Sequence, residues 1–187
     1  MGYYDEAGSV DQYMQMCEGY DGAPLYNVLR RNLPKGSSLL ELGCGPGFDI
    51  AELQADYQIM GSDLSLEFLS RCRERFPELA FEQLDAVTIA TQKQFDCVYS
   101  NKVLQHLRMH ELEASLLRQQ QMLNEQGYVA HSFWLGGKEE EMMGLYFLYH
   151  EKAALLAMIG RYFDVIDTYE YGEFENGDSL FVVAQKR

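Results

Sequence analysis

The sequence predicts an open α/β sheet, mostly parallel, with helices on both faces. Three observations carry this. Short apolar runs of strand length alternate with segments of helical periodicity from Leu39 to Trp134. Polar residues recur where those runs end: Glu41, Asp63, Asp85, Asn101 and His131-Ser132. The first run also turns at once, through Gly43, Gly45 and Gly47, into a helical segment that starts at Asp49.

Taken in order, residues 1–22 scatter Tyr3, Tyr4, Tyr13 and Tyr20 among acids and methionines with poor periodicity. They read either as a cover over a site or as a helix that packs through Tyr13 and Met14. Leu25, Val28 and Leu29 share a helical face that Pro34 and Gly36 terminate. The first strand and glycine turn follow, then a helix from Asp49 to Ala55 and a second strand from Gln58 to Asp63. Ser65 is placed to cap a helix whose buried face is Phe68, Leu69, Cys72 and Phe76, closed by Pro77. Leu79 to Leu84 forms a third strand before Asp85, and Phe95 to Ser100 a fourth before Asn101. A polar segment, Gln105 to His110, leads into a helix with Leu112, Leu116 and Leu123 on one face. A turn at Asn124 to Gly127 precedes a fifth strand, Tyr128 to Trp134.

The last third changes character. Residues 135–150 hold a glycine pair, the run Glu139-Glu140-Glu141 and the aromatics Tyr146, Phe147 and Tyr149, a mixture suited to an insertion over a site. Leu155, Leu156 and Ile159 mark one more helix. Two strands close the chain, Phe163 to Tyr169 and Ser179 to Gln185, and their short Gly- and Asn-containing connection favours an antiparallel hairpin.

A length of 187 residues suits one domain with a substantial core. Acids outnumber basic residues by 29 to 15, a net charge of −14 that opposes binding to nucleic acid phosphates or anionic membranes. Cys17, Cys44, Cys72 and Cys97 form no Cys-x-x-Cys pair and read as reduced thiols in a cytoplasmic protein, with no metal site. No apolar run has membrane-helix length, and the N-terminus lacks the pattern of a secretory signal.

Glycine at alternate positions lets the backbone take positive φ and lets another group approach it closely. The dinucleotide fingerprint would space its glycines as Gly-x-Gly-x-x-Gly, whereas this loop has Gly-x-Gly-x-Gly. Asp63 follows Gly43 by about 20 residues, the spacing at which an acid ending the second strand can accept from ribose hydroxyls. Together these fit a nucleoside ligand.

With Leu40-Glu41-Leu42-Gly43-Cys44-Gly45-Pro46-Gly47, Gly61-Ser62-Asp63-Leu64-Ser65, Leu84-Asp85-Ala86 and Phe95 to Asn101 in this order, the chain resembles the class I S-adenosylmethionine-dependent methyltransferase family over nearly its whole length. The resemblance implies a Rossmann-like, doubly wound, seven-stranded sheet, mostly parallel with an antiparallel C-terminal strand. It implies S-adenosylmethionine as cofactor and a small-molecule methyl acceptor as partner, in a monomer or homodimer. It also implies roles by position. Gly43, Cys44, Gly45 and Gly47 would approach the methionine part of the cofactor, Cys44 through its backbone. Glu41 would support the loop or the cofactor's amino group, where the family often has aspartate. Asp63 would bind the ribose hydroxyls, and Leu64 would pack on the adenine. Asp85 would accept from the adenine amino group, and Ala86 would offer its amide. Asn101 and Val103 would form the floor beneath the methyl.

For proton removal near neutral pH, histidine is the best-matched side chain. His106 and then His131 are the candidates by position, each equally readable as a hydrogen-bonded packing residue. A non-catalytic cofactor-binding protein and an NAD-dependent oxidoreductase are the alternatives, the latter opposed by the glycine spacing.

Overall fold

The computed structural model describes residues 7–16, 19–142 and 144–187, so Tyr3, Tyr4 and Cys17 lie outside the described residues. Helices α1 (Ala7–Met16) and α2 (Ala23–Asn32) precede strand β1 (Ser38–Leu42). The alternating core of the chain then runs α3 (Phe48–Leu53), β2 (Gln58–Asp63), α4 (Leu66–Arg75), β3 (Ala80–Gln83), β4 (Phe95–Ser100), α5 (Met109–Met122) and β5 (Leu123–Trp134). A hairpin of β6 (Lys138–Met142) and β7 (Leu145–Tyr149), helix α6 (Lys152–Ile159), and strands β8 (Phe163–Tyr171) and β9 (Ser179–Lys186) complete it.

Seven strands form one sheet in the order β3-β2-β1-β4-β5-β9-β8. Pairings from β3 through β5 are parallel, and β9 runs antiparallel to both β5 and β8. The last strand therefore inserts between β5 and β8 and does not form the edge. Strand order reverses between β1 and β4, where the crossovers diverge and leave a crevice above the carboxyl ends.

Both faces of the sheet are covered, which is why its central strands read as continuous apolar runs. Side chains alternate sides along each strand. Leu40, Val98, Val129 and Val182 pack with Leu112 and Leu116 of α5 and with Leu155 and Ile159 of α6. Leu39, Cys97, Tyr99, Ala130 and Val183 pack on the other face with Leu25 and Leu29 of α2, Ile50 of α3 and Leu69 of α4. Helix α4 begins at its expected cap: Ser65 Oγ accepts from the Phe68 amide at 3.3 Å.

Three expectations take a definite form. Residues 7–16 are helical despite their weak periodicity, with Val10 buried and Tyr13 edge-on to Phe68 of α4 at 5.8 Å between ring centroids. The turn at Asn124 to Gly127 is a bulge within β5, since Phe95 pairs with Leu123 but Cys97 with Tyr128, and Gln126 takes φ 61°. The insertion after Trp134 is the separate two-stranded hairpin β6-β7, paired from Lys138↔Tyr149 to Met142↔Leu145. Cys44, Cys72 and Cys97 are buried free thiols. Among the described residues no helix is long and apolar enough to cross a membrane, and no His, Cys, Asp and Glu cluster could hold a metal ion.

Candidate active site

The crevice at the strand-order reversal contains a cavity. The glycine turn after β1 supplies one wall, Asp49 of α3 and Asn101-Lys102 after β4 another, and Tyr13 and Tyr20 reach it from the N-terminal segment. Of the residues expected to hold a cofactor, Glu41, Gly43, Cys44, Gly45 and Asn101 line it. Gly47, Asp63, Leu64, Asp85, Ala86 and Val103 lie outside its lining.

All three loop glycines have positive φ, 66° at Gly43, 48° at Gly45 and 76° at Gly47, but they serve different neighbours. A Cβ on Gly43 would stand 2.5 Å from Val103 Cγ2, and one on Gly47 would stand 2.8 Å from Phe76 Cε2. Those two positions are closed by the protein itself. A Cβ on Gly45 would meet only Tyr13 Cε1, at 3.9 Å, so the space over Gly45 is open. Val103, expected in the floor of the site, lies against Gly43, which lines the cavity.

Asp63 holds the loop from β2. Its Oδ2 accepts from the Gly45 amide at 2.9 Å and its Oδ1 from the Ser65 amide at 2.8 Å. Burial raises its pKa and these backbone donors work against that rise. Leu64 beside it is 61 % exposed, an uncovered apolar side chain. Asp85 Oδ1 accepts from the amides of Val87 and Thr88, both at 2.9 Å, and so shapes the turn after β3.

Glu41 is 2 % exposed, and its Oε2 has no hydrogen-bond partner. Burial, followed by the nearby charge of Asp49, pushes its pKa well above the usual carboxylate range. Asp49 is itself buried but well supplied with donors: the Tyr26 hydroxyl on Oδ1, and Tyr99 Oη at 3.2 Å and Asn101 Nδ2 at 3.1 Å on Oδ2. Burial still raises its pKa, against those hydrogen bonds and the charge of Lys102.

Asn101 also donates to Tyr20 Oη at 2.6 Å and accepts from Ser132 Oγ at 2.9 Å. Lys102 takes φ 59°, uncommon for a residue with a side chain. Its ammonium lies 4.5 Å from the Tyr20 ring centroid and 3.4 Å from Glu173 Oε1 in the β8-β9 connection.

The histidines separate. His131 is 1 % exposed, and neither it nor His106 is in the cavity lining. Its Nε2 meets Gln119 Oε1 of α5 at 2.8 Å, and its Nδ1 meets Ser100 Oγ at 2.8 Å. An amide oxygen only accepts, so Nε2 carries the proton and Ser100 donates to Nδ1. From Gln119 the chain continues through Ser115 Oγ to the Ala86 carbonyl. Burial lowers the His131 pKa to about 3. With both ring nitrogens occupied on the α5 side of the sheet, His131 is corrected from candidate base to packing residue. His106 lies in the short 3-10 turn Leu104–His106 under β7, with Nδ1 3.0 Å from the Tyr146 carbonyl and its ring 4.7 Å from Phe147. That carbonyl places the proton on Nδ1 and leaves Nε2 as the basic nitrogen. Burial lowers this pKa as well.

Asp49, Tyr20, Tyr26 and Lys102 were not singled out from sequence. Asp49 had one available signal, an acid two residues past the last loop glycine. Tyr20 had only the reading of residues 1–22 as a possible cover, and Tyr26 and Lys102 had no signal, because their positions depend on which segments the fold brings together.

A family model described as a methyltransferase domain matches residues 39–127. Trans-aconitate 2-methyltransferase of Variovorax paradoxus is 39 % identical over 94 residues, 47 % of this chain and 36 % of that protein. A dTDP-3-amino-3,6-dideoxy-alpha-D-glucopyranose N,N-dimethyltransferase of Streptomyces fradiae is 30 % identical over 103 residues, 52 % of this chain and 40 % of that one. The alignments thus span well under half the length of these curated relatives. Among solved structures, the N-methyltransferase NodS from Bradyrhizobium japonicum, in complex with S-adenosyl-L-homocysteine, matches with a TM-score of 0.74 at 14 % identity, over 96 % of this chain and 97 % of that one. That likeness concerns the fold. Family model and relatives agree over part of the chain: across residues 39–127 it is similar to a methyltransferase domain, and its seven-stranded sheet has the fold of the solved methyltransferase structures.

Proposed function

We propose that residues 1–187 act as one methyltransferase domain, which binds S-adenosylmethionine in this cavity and transfers its methyl group to a small-molecule acceptor by in-line displacement. The observation that carries the reading is the unpartnered, buried Glu41 carboxyl beside the open space over Gly45. An orphaned buried acceptor wants a donor or a cation. A methionine end with its ammonium group is a fitting occupant. The uncovered Leu64 beside Asp63 suits an adenosine lying across the rim.

Bound S-adenosylmethionine would supply a methyl on a sulfonium, which is already an excellent leaving group. The chain's own part is alignment and exclusion of water, which can account for up to ~7 to 11 kcal/mol of a barrier. Gly43, Cys44, Gly45 and Gly47 would form the cradle, and Asp63 would fix the loop and accept from ribose hydroxyls. Asp85 and Ala86 would face the adenine, and Asn101 the transferable methyl. His106, with Nε2 free to accept a proton, is the remaining histidine candidate for an acceptor that must be deprotonated. Residues 135–150 and the N-terminal segment would enclose the acceptor.

Calorimetry with S-adenosylmethionine and with NAD tests the cofactor half. Binding of the first and not the second is expected, and the reverse would end the proposal. An acceptor screen that reads out S-adenosylhomocysteine tests the rest. The relatives' names point it first at carboxylates such as trans-aconitate and at amino-sugar nucleotides.

A further inference from the structure

The cavity presents two carboxyl groups from different elements with unequal support. Asp49 receives hydrogen bonds from Tyr26, Tyr99 and Asn101, on three separate segments. Glu41, from the end of β1, has an Oε2 with no partner. Two buried carboxylates close together do not both ionise readily, and the one with donors keeps the charge.

The groups facing Glu41 offer no compensation. Asp49 approaches from α3, Cys72 from α4 and Asp63 from β2. Among the described residues, Cys44 on the loop, Tyr99 on β4 and Tyr26 on α2 are its further ionisable neighbours. All are acidic or neutral. Among the described residues Lys102 is the cation of the cavity lining, and its charge is felt at Asp49.

We propose that in the ligand-free cavity Glu41 carries a proton while Asp49 carries the negative charge, and that a cationic group of S-adenosylmethionine displaces that proton on binding. This rests on the reading of the cavity as the S-adenosylmethionine site. The O–H bond of the Glu41 carboxyl breaks, its electron pair stays on the carboxylate, and the proton leaves to solvent. Charge balances. One carboxylate in the empty cavity becomes two carboxylates and one cation in the filled one. The acid pair is thereby a specificity element: it stabilises a positive ligand group without confining two negative charges to the empty protein. Burial and the charge of Asp49, which both raise the Glu41 pKa, are the physical cause.

The experiment is calorimetry of S-adenosylmethionine binding at about pH 6, where the ligand's own α-amino group is fully protonated. It is run in two buffers of different ionisation enthalpy. The difference in heats should report release of up to roughly one proton per ligand, and affinity should rise by up to about tenfold per pH unit in the range where Glu41 remains protonated. Glu41→Gln keeps the shape and cannot ionise, so it should bind without proton release and with pH-independent affinity. Equal heats in the two buffers for the wild-type chain would overturn the proton exchange while leaving the cofactor assignment standing. Proton release retained in Glu41→Gln would overturn the choice of Glu41. Failure to bind S-adenosylmethionine at any pH would remove the cofactor reading and this inference together. The wild-type comparison decides the matter even if Glu41→Gln does not fold.

Discussion

The Gly45 amide donates to Asp63 Oδ2 at 2.9 Å, so the glycine loop is anchored directly by the acid that ends β2. Sequence spacing suggested that the two serve one ligand. The structure adds that one holds the other, with acceptor capacity to spare, since a carboxylate offers about four lone-pair sites.

Asp63→Ala removes the acceptor of both the Gly45 and Ser65 amides. Loss of ~1 to 3 kcal/mol of stability is expected, together with weaker S-adenosylmethionine binding. Denaturant melts and calorimetry on the same preparation measure the two effects. Unchanged ligand affinity would remove Asp63 from the site.

Gly43 and Gly45 should respond differently to alanine. At Gly43 the new Cβ collides with Val103, and at Gly45 it enters open space. Both substitutions incur left-handed backbone strain of roughly 1 to 2 kcal/mol, and overpacking adds about 1 to 3 kcal/mol at Gly43. Gly43→Ala is therefore expected to lower the melting temperature further. Gly45→Ala should show its larger effect on ligand affinity. Equal behaviour of the two in both measurements would contradict the geometry.

His131 should make the protein acid-sensitive. Its pKa is 6.5 unfolded and about 3 folded, so the unfolded state takes up the proton first as pH falls. The stability it contributes is fully present above 6.5 and is lost as pH drops from there towards 3. At about 1.4 kcal/mol per unit this amounts to on the order of 5 kcal/mol. His150, with its pKa lowered to about 4 by burial, adds to the same trend. Glu41, with a raised pKa, acts in the opposite sense: its contribution declines as pH rises above its ordinary value of 4.5. Melting curves of wild type and His131→Gln across this range isolate the histidine. An identical pH slope in both would refute the assignment.

Tyr26→Phe deletes the hydroxyl that α2 gives to Asp49 and leaves the rest of the ring in place. Asp49 keeps Tyr99 and Asn101 as donors, so a loss of about 1 to 3 kcal/mol is expected with the fold retained. Chemical denaturation reads this directly, and no measurable loss would mean that the hydroxyl contributes nothing to holding the acid.

Much of the sheet was legible because its determinants are local. The central runs around Leu39-Leu40, Val98 and Val129 are apolar on both faces and sit between polar strand ends, so number and direction follow from alternation. The hairpin of β6 and β7 was legible only as an insertion. Its acids and aromatics carry no strong strand pattern, and it is paired within itself, apart from the main sheet. For His131 the sequence left base and packing residue open, because it says which strand carries the residue while the face it points to depends on register: it pairs with Ser100 and turns to α5.

By itself the sequence determined the parallel sheet, the loop Gly43 to Gly47 and the acid that faces it, because strand periodicity and the left-handed tolerance of glycine are properties of short stretches. The tertiary structure alone decided which carboxyl in the cavity is supported. Asp49 finds Tyr26, Tyr99 and Asn101 at sequence separations of 23, 50 and 52 residues, and Glu41 Oε2 finds no one. Burial and hydrogen bonding fix the charge of an acid, and both are set by segments that meet only once the sheet has closed.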